Sequence, residues 1–231
     1  MIAALEFLKP EWWFDKAGAA ALPVVTAIIF AESGLLIGFF LPGDSLLFFT
    51  GFLTSSAAKD DPTFSKFADH IPSLWIVLLC VTAAAIIGDQ VGYWFGNKVG
   101  PALFTRPNSR LFKQENVGKA HAFFERHGPK SIVLARFVPI VRTFTPIVAG
   151  IGQMRYRTFV TYNVLGGVLW AVGITTLGHF LGEIEFFRDN IEYAIIAVIA
   201  ISLTPIAIEL LRSRRHRRDS AAVAEQPVDH G

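Results

Sequence analysis

The stretch TFVTYNVLGGVLWAVGITTLGHFLG, residues 158–182, decides the fold, because it runs for 25 residues without an Asp, Glu, Lys or Arg. The hydrocarbon core of a bilayer takes about 20 predominantly apolar residues of helix to cross, so this segment is long enough to span. Working outward, Ile71–Gly88 gives 18 more uncharged residues and continues as a patterned helix through Tyr93 and Trp94. Tyr193–Ile208 adds 16, with apolar character reaching Leu211. Three full transmembrane helices are therefore expected, near 71–95, 158–181 and 190–211. The whole chain agrees: 52% of its 231 residues are hydrophobic and only 17% charged, which excludes an ordinary soluble domain.

Two other apolar regions do not read as simple spans. Ala17–Ser56 is about twice the length of one crossing and is interrupted at Glu32 and again at Leu41-Pro42-Gly43-Asp44. Pro and Gly together break a helix, and an Asp beside them can accept from freed backbone amides. Ser131–Met154 is interrupted by Arg136, Pro139, Arg142 and Pro146. Each has the composition of two short helices meeting at a break, and non-helical backbone at membrane depth survives only inside protein or beside a wet cavity.

Charge sets the expected topology. Arg212, Arg214, Arg215, Arg217 and Arg218 follow the last span, and 98–130 holds seven Lys or Arg. By the positive-inside rule both are cytoplasmic, as is the loop carrying Arg155 and Arg157. Both flanks of 131–154 then lie on one side, so that segment re-enters rather than crosses. The loop 57–70 falls outside, and it is net acidic. If about 20–56 is a second re-entrant hairpin it dips from the opposite face. Each hairpin precedes a glycine-rich span, Gly88…Gly92…Gly96 or Gly166-Gly167…Gly173…Gly178…Gly182. The expected fold class is thus an all-α membrane protein, a polytopic bundle with two opposed re-entrant hairpins in an inverted repeat.

Residues 1–18, with Trp12, Trp13 and Phe14 beside Lys9 and Lys16, read as an interfacial amphipathic helix rather than a signal peptide. The membrane domain is expected over 19–211, and 212–231 as a basic, then disordered, cytoplasmic tail. The basic clusters sit at membrane edges, so they anchor topology and imply no nucleic acid. Cys80, lying mid-span, rules out an intrachain disulfide and reads as a packing residue. His179 reads as interfacial, and His121 and His127 have no ligand-like spacing. No cofactor or metal motif is present, and a homo-oligomer is compatible with the sequence.

Several of these segments resemble the DedA family, also called the SNARE-associated or VTT domain. They are Ala31-Glu32 with Phe40-Leu41-Pro42-Gly43-Asp44, Gly88-Asp89-Gln90-Val91-Gly92-Tyr93-Trp94, and Ala135-Arg136-Phe137-Val138-Pro139-Ile140-Val141-Arg142-Thr143. Pro146-Ile147-Val148-Ala149-Gly150, Met154 with Phe159, and Asn163-Val164-Leu165-Gly166 with Trp170 extend the match over about 20–182. The resemblance implies a bacterial inner-membrane protein with opposed re-entrant hairpins and no enzymatic activity. It also implies roles in recycling undecaprenyl phosphate or in proton-motive-force homeostasis. The acidic positions Glu32 and Asp44 and the basic positions Arg136 and Arg142 would be the functional ones.

A charge at the bilayer centre costs about 2.5–3.5 kcal/mol on insertion scales, so four of them need partners or water. Arg136 and Arg142 are six residues apart. On an unbroken helix they would sit about 240° apart, and Pro139 between them can bring both to one cavity. A guanidinium fork suits phosphate because it is planar, bidentate and always charged. The expected exchange has phosphate displacing carboxylate from Arg136 and Arg142, eased by protonation of Glu32 or Asp44. The plainer alternative is a pair of static salt bridges holding the hairpins together. Pro42, Gly43, Pro139, Pro146, Asp89 and Asn163 are the associated hairpin-break and cavity candidates.

Anionic-lipid transport between leaflets, coupled to the proton motive force, is the leading expectation, with membrane lipids as partners. A proton-coupled ion or small-solute transporter is the alternative, with protons or cations as partners. A lipid phosphatase would want a Pro-Ser-Gly-His segment and a CDP-alcohol transferase clustered aspartates, and neither is present. A scaffold for membrane-protein assembly is the remaining class.

Overall fold

Ser73 starts the longest helix: its carbonyl accepts from the amides of Ile76 and Val77. The computed structural model describes residues 10–35, 42–104 and 128–184. Within them every regular element is helical. In chain order they are α1 (Pro10–Ala17), α2 (Ala21–Gly34), α3 (Gly43–Leu53), α4 (Ser56–Asp60), α5 (Ser65–Ala68), α6 (Leu74–Phe104), α7 (Lys130–Ala135), α8 (Pro139–Ile151) and α9 (Tyr156–Glu183).

Three helical stretches are long and apolar enough to cross a membrane: Trp12–Gly34, Leu74–Val99 and Tyr156–Glu183. The outward faces of the second and third carry large apolar side chains, with Trp75 79%, Leu79 72% and Phe180 62% exposed. So much exposed apolar surface on long helices fits lipid, not water. Two of the three match the sequence expectation at 71–95 and 158–181. The third expected span, 190–211, lies outside the described residues, as do the basic tail, His121 and His127.

The N-terminal span differs in part from expectation. A single 3-10 turn, Gly18–Ala20, joins α1 to α2, and Gly18, left-handed at φ 50°, interrupts the regular helix at the expected boundary near residue 18. Phe14 anchors α1, packing edge-on against Phe49 and Phe67 in the main apolar core. Acidic and basic residues at 11, 15 and 16 make this end read as interfacial, yet its other face is core. The 23 residues of Trp12–Gly34 reach back before residue 20, and the arm inside the region 20–56 is α2 with 14 residues, followed by α3 with 11.

The expected breaks are present where described. Pro42 precedes α3 as its N-cap. Arg136 caps the C-terminus of α7, extended Val138 follows, and Pro139 opens α8, where its missing amide is harmless. Pro146 sits inside α8 and has no amide hydrogen to give the carbonyl of Arg142 four residues earlier, yet the helix continues through it. After α8 the chain reverses through a Schellman turn. Met154 N–H returns to the Ala149 carbonyl, Gln153 N–H to that of Gly150, and Gln153 takes the left-handed conformation at φ 52°. The Tyr93 hydroxyl donates to the Met154 carbonyl and ties this turn to α6.

The helices pack in a swapped, two-fold pattern. α2 packs on α6, the long helix of its own half, whereas α3 packs on α9 of the other half. Correspondingly α7 packs on its own α9, and α8 reaches across to α6. The two reaching contacts are built alike. A Cβ at Gly96 would meet the Ile147 carbonyl oxygen at 2.1 Å, and one at Gly150 the Tyr93 carbonyl at 2.2 Å. On the other side, Gly178 faces the Phe48 carbonyl at 2.0 Å and Gly51 the Thr175 carbonyl at 1.9 Å. In both, the paired positions step by three along each helix. Only glycine lets backbones approach this closely, the usual way helices associate where lipid removes the hydrophobic drive.

Candidate functional site

The two breaks and the middle of α6 bring five charged side chains into the seam where the halves meet. Glu32 comes from the last turn of α2 and Asp44 from the first turn of α3, where a carboxylate also complements the helix dipole. Arg142 comes from the start of α8, Arg136 from the end of α7, and Asp89 from the middle of α6. All but the partly buried Asp44 and Arg142 are buried as whole residues.

Arg142 uses both arms of its fork on the acids of the first break. Its Nη1 donates to Asp44 Oδ1 at 2.6 Å, and its Nη2 is ion-paired with Glu32 Oε1. Gly43 is needed here, since a Cβ at that position would lie 1.5 Å from Glu32 Oε2. Arg136 has different partners: it is ion-paired with Asp89, and its Nη1 donates to Asn163 Oδ1 at 2.7 Å. Asn163 is oriented in turn by donating through Nδ2 to the Ile86 carbonyl at 3.3 Å.

The four charges singled out from sequence thus converge, and both arginines do face one region despite their spacing. The expected division, two acids opposite two arginines, is redrawn. Arg142 takes both Glu32 and Asp44, while Arg136 takes Asp89. Pro42, Gly43, Pro139 and Pro146 shape the breaks, and Pro146 packs on α6, 3.3 Å from where a Cβ of Gly92 would stand.

Trp170 of α9 is the functional candidate that residue-type reasoning missed. Its indole N–H donates to Asp44 Oδ1 at 2.9 Å. Its ring lies 4.5 Å from the Arg142 guanidinium carbon and 5.5 Å from that of Arg136. One side chain therefore touches both ion-paired groups, through a hydrogen bond and two cation–π contacts. Gly166 and Gly167 beside it leave room for Arg136, whose Cδ and Nη2 lie 3.3 and 3.5 Å from where their Cβ atoms would be. The signal was a lone Trp flanked by glycines inside an uncharged run. His179 stands apart, hydrogen-bonded through Nδ1 to Thr54 Oγ1 at 2.9 Å, near the far end of α9.

Such a cluster is costly to bury and stable only when every charge has a partner. Among the described residues it holds three carboxylates against two guanidiniums, formally one negative charge in excess. An anion entering it must replace carboxylate on a guanidinium, and a proton or cation is needed to neutralise it.

Breaks between apolar helices, lipid-facing long helices and a buried ionic centre define a polytopic helical membrane protein. The VTT domain family matches residues 10–180. The DedA protein of Escherichia coli K12 is 41% identical over 208 residues, covering 90% of this chain and 89% of that protein. An uncharacterized membrane protein of Mycobacterium leprae is 40% identical over 224 residues, 96% of this chain and 95% of its own. The inner membrane protein YqjA of E. coli K12 is 30% identical over 185 residues, 80% and 77% of the two chains. No solved structure matches. The chain belongs to the DedA family of VTT-domain membrane proteins.

Proposed function

We propose that this protein moves a phosphate-bearing anionic lipid between the leaflets of a bacterial inner membrane, with its C-terminal tail cytoplasmic. Undecaprenyl phosphate is the substrate that the DedA resemblance favours. The observation that carries the reading is the Arg142 fork, occupied on both arms by carboxylates from a helix break and stacked on Trp170. A phosphate monoester offers the same pair of oxygens as those two carboxylates together, at one atom centre. Exchange between them neutralises Arg142 in both states, and protonation of Glu32 or Asp44 releases the fork. Arg136, held by Asp89 and Asn163, offers a second guanidinium across the same indole.

The test is reconstitution of the purified chain in vesicles, following leaflet exposure of labelled undecaprenyl phosphate and of labelled phosphatidylcholine. Acceleration for the phosphate lipid, increased by a proton gradient, is expected. No acceleration of either lipid overturns the reading. The excess negative charge of the cluster supports a second one, a proton-coupled ion or solute transporter in which the arginines are structural. Gradient-driven proton flux in those vesicles without any lipid movement would favour it.

A further inference from the structure

Away from the ionic cluster, α6 and α9 part to leave a cleft of about 470 Å³ lined by Tyr93, Trp94, Asn97, Lys98 and Tyr156. The helices run antiparallel here. Tyr93 stacks on Phe159 with ring centroids 4.4 Å apart and also meets Tyr156, while Ile86, two turns earlier, meets Asn163 and Gly167. The cleft and the cluster therefore lie on one seam. Between them is Gln90, one helical turn from Tyr93 and Trp94 and next in sequence to Asp89. Both its amide nitrogen and its amide oxygen are shielded from solvent with no hydrogen-bond partner, and Arg136 Nε is the same. An unpartnered buried carboxamide is costly and marks a place where water or a ligand's polar atoms complete the bonding.

We propose that this cleft is a docking site for the phosphate end of an anionic membrane lipid, at the mouth of the path leading past Gln90 to the cluster. The proposal rests on the lipid-transport reading. Charge complementarity names the occupant. Among the described residues the lining carries the Lys98 ammonium and the Asn97 amide but no carboxylate, and exposed Arg155 and Arg157 flank Tyr156. The surroundings fit a lipid rather than a free ion. Trp94 is 69% and Phe95 50% exposed beside Val91, an apolar face for the first part of an acyl or prenyl chain. Tyr and Trp with basic residues are also the composition of the headgroup interface.

The experiment uses the full chain in neutral detergent, carrying Cys80→Ala and Asn97→Cys, and measures maleimide labelling of the new thiol. Dioleoyl phosphatidic acid should slow labelling several-fold, while phosphatidylcholine and inorganic phosphate at matched concentration should not. Adding Lys98→Gln should raise the half-protecting lipid concentration by about fivefold, the worth of one lysine near an anionic surface. Lys130→Gln, exposed at the start of α7, should leave it unchanged. Equal protection by phosphatidylcholine would make the cleft an apolar groove, and protection by inorganic phosphate a free-anion site. An equal effect of Lys130→Gln would reduce it to diffuse surface charge, and no protection would leave no site. Each of these overturns the proposal. Protection without any lipid movement in vesicles sinks the transport reading and leaves the cleft standing. Undiminished movement in a Lys98→Gln protein that phosphatidic acid no longer protects sinks the cleft alone.

Discussion

Replacing Gly96 by Ala tests the swapped packing and its hold on the ionic cluster at once. The added methyl would sit 2.1 Å from the Ile147 carbonyl oxygen, a backbone atom with no rotamer to escape into. A relaxed carbon–oxygen contact is about 3.3 Å or more, so α8 must withdraw from α6 by about 1 Å. Overpacking of this kind costs about 1–3 kcal/mol. Arg142 lies five residues before Ile147 on the same helix and holds Asp44 at 2.6 Å. A shift of that size stretches this bond past useful length, so lipid movement should fall with stability. Thermal unfolding in detergent and the vesicle assay report the two effects. Gly173→Ala is the internal control: it faces open space, with nothing within 4 Å of the added Cβ. There the helix propensity of Ala should give a neutral or slightly stabilised protein. Gly178→Ala, the two-fold equivalent, should behave like Gly96→Ala. If Gly96→Ala unfolds and transports as the parent does, the close approach of α8 to α6 is wrong.

Arg142→Lys keeps a cation but cannot bridge Glu32 and Asp44 in one plane, so the protein should fold and lose most lipid movement; parental transport would restrict Arg142 to a plain ion pair. Trp170→Phe keeps an aromatic face for both arginines but removes the N–H given to Asp44. It should cost about 1.5–3 kcal/mol of stability, the range for a hydrogen bond to a charged group, read by thermal unfolding, with a partial loss of transport. Asp89→Asn strips Arg136 of its buried counter-charge and should destabilise by about 3–5 kcal/mol, the range for breaking one side of a buried pair. A smaller loss on chemical unfolding would mean that Asn163 and water suffice.

Much of this was legible because membrane insertion makes sequence pattern unusually informative. An uncharged run of 25 residues has few other readings, and charges beside Pro and Gly stand out against it. Pairing was less legible. Nothing in the spacing tells whether Arg136 meets Glu32, Asp44 or Asp89, because the choice depends on which helix each arm packs against. The glycines show the same limit. Gly96, Gly173 and Gly178 look alike as pattern, yet two sit against carbonyl oxygens and one faces open space. Trp170 escaped because an aromatic residue in an apolar helix is ordinarily packing, and its role appears only once two arginines flank it. The N-terminal span was hidden by Glu11, Asp15 and Lys16, which mask a helix whose other face is core.

The swapped packing gives the cluster its mechanical meaning. Glu32 rides on α2 against α6, and Asp44 rides on α3 against α9. Arg142 rides on α8 against α6, and Trp170 belongs to α9 itself. The Arg142–Asp44 bond therefore joins helices seated on different long helices, whereas the Trp170–Asp44 bond stays within the α3–α9 body. Sliding α3 with α9 past α8 with α6 strains the first bond and leaves the second intact, whereas Arg142–Glu32 travels as a unit on α6. The Arg136–Asp89 pair, between α7 on α9 and α6, crosses the same boundary, so on the proposed transport reading Asp44 and Asp89 are the carboxylates whose release lets the two bodies move, and Glu32 is the one that stays. Asp44→Asn should accordingly ease the sliding, and Glu32→Gln should not. Cross-linking rates between cysteines placed on α3 and α8 would show it: faster exchange in Glu32→Gln than in Asp44→Asn would reverse the two roles.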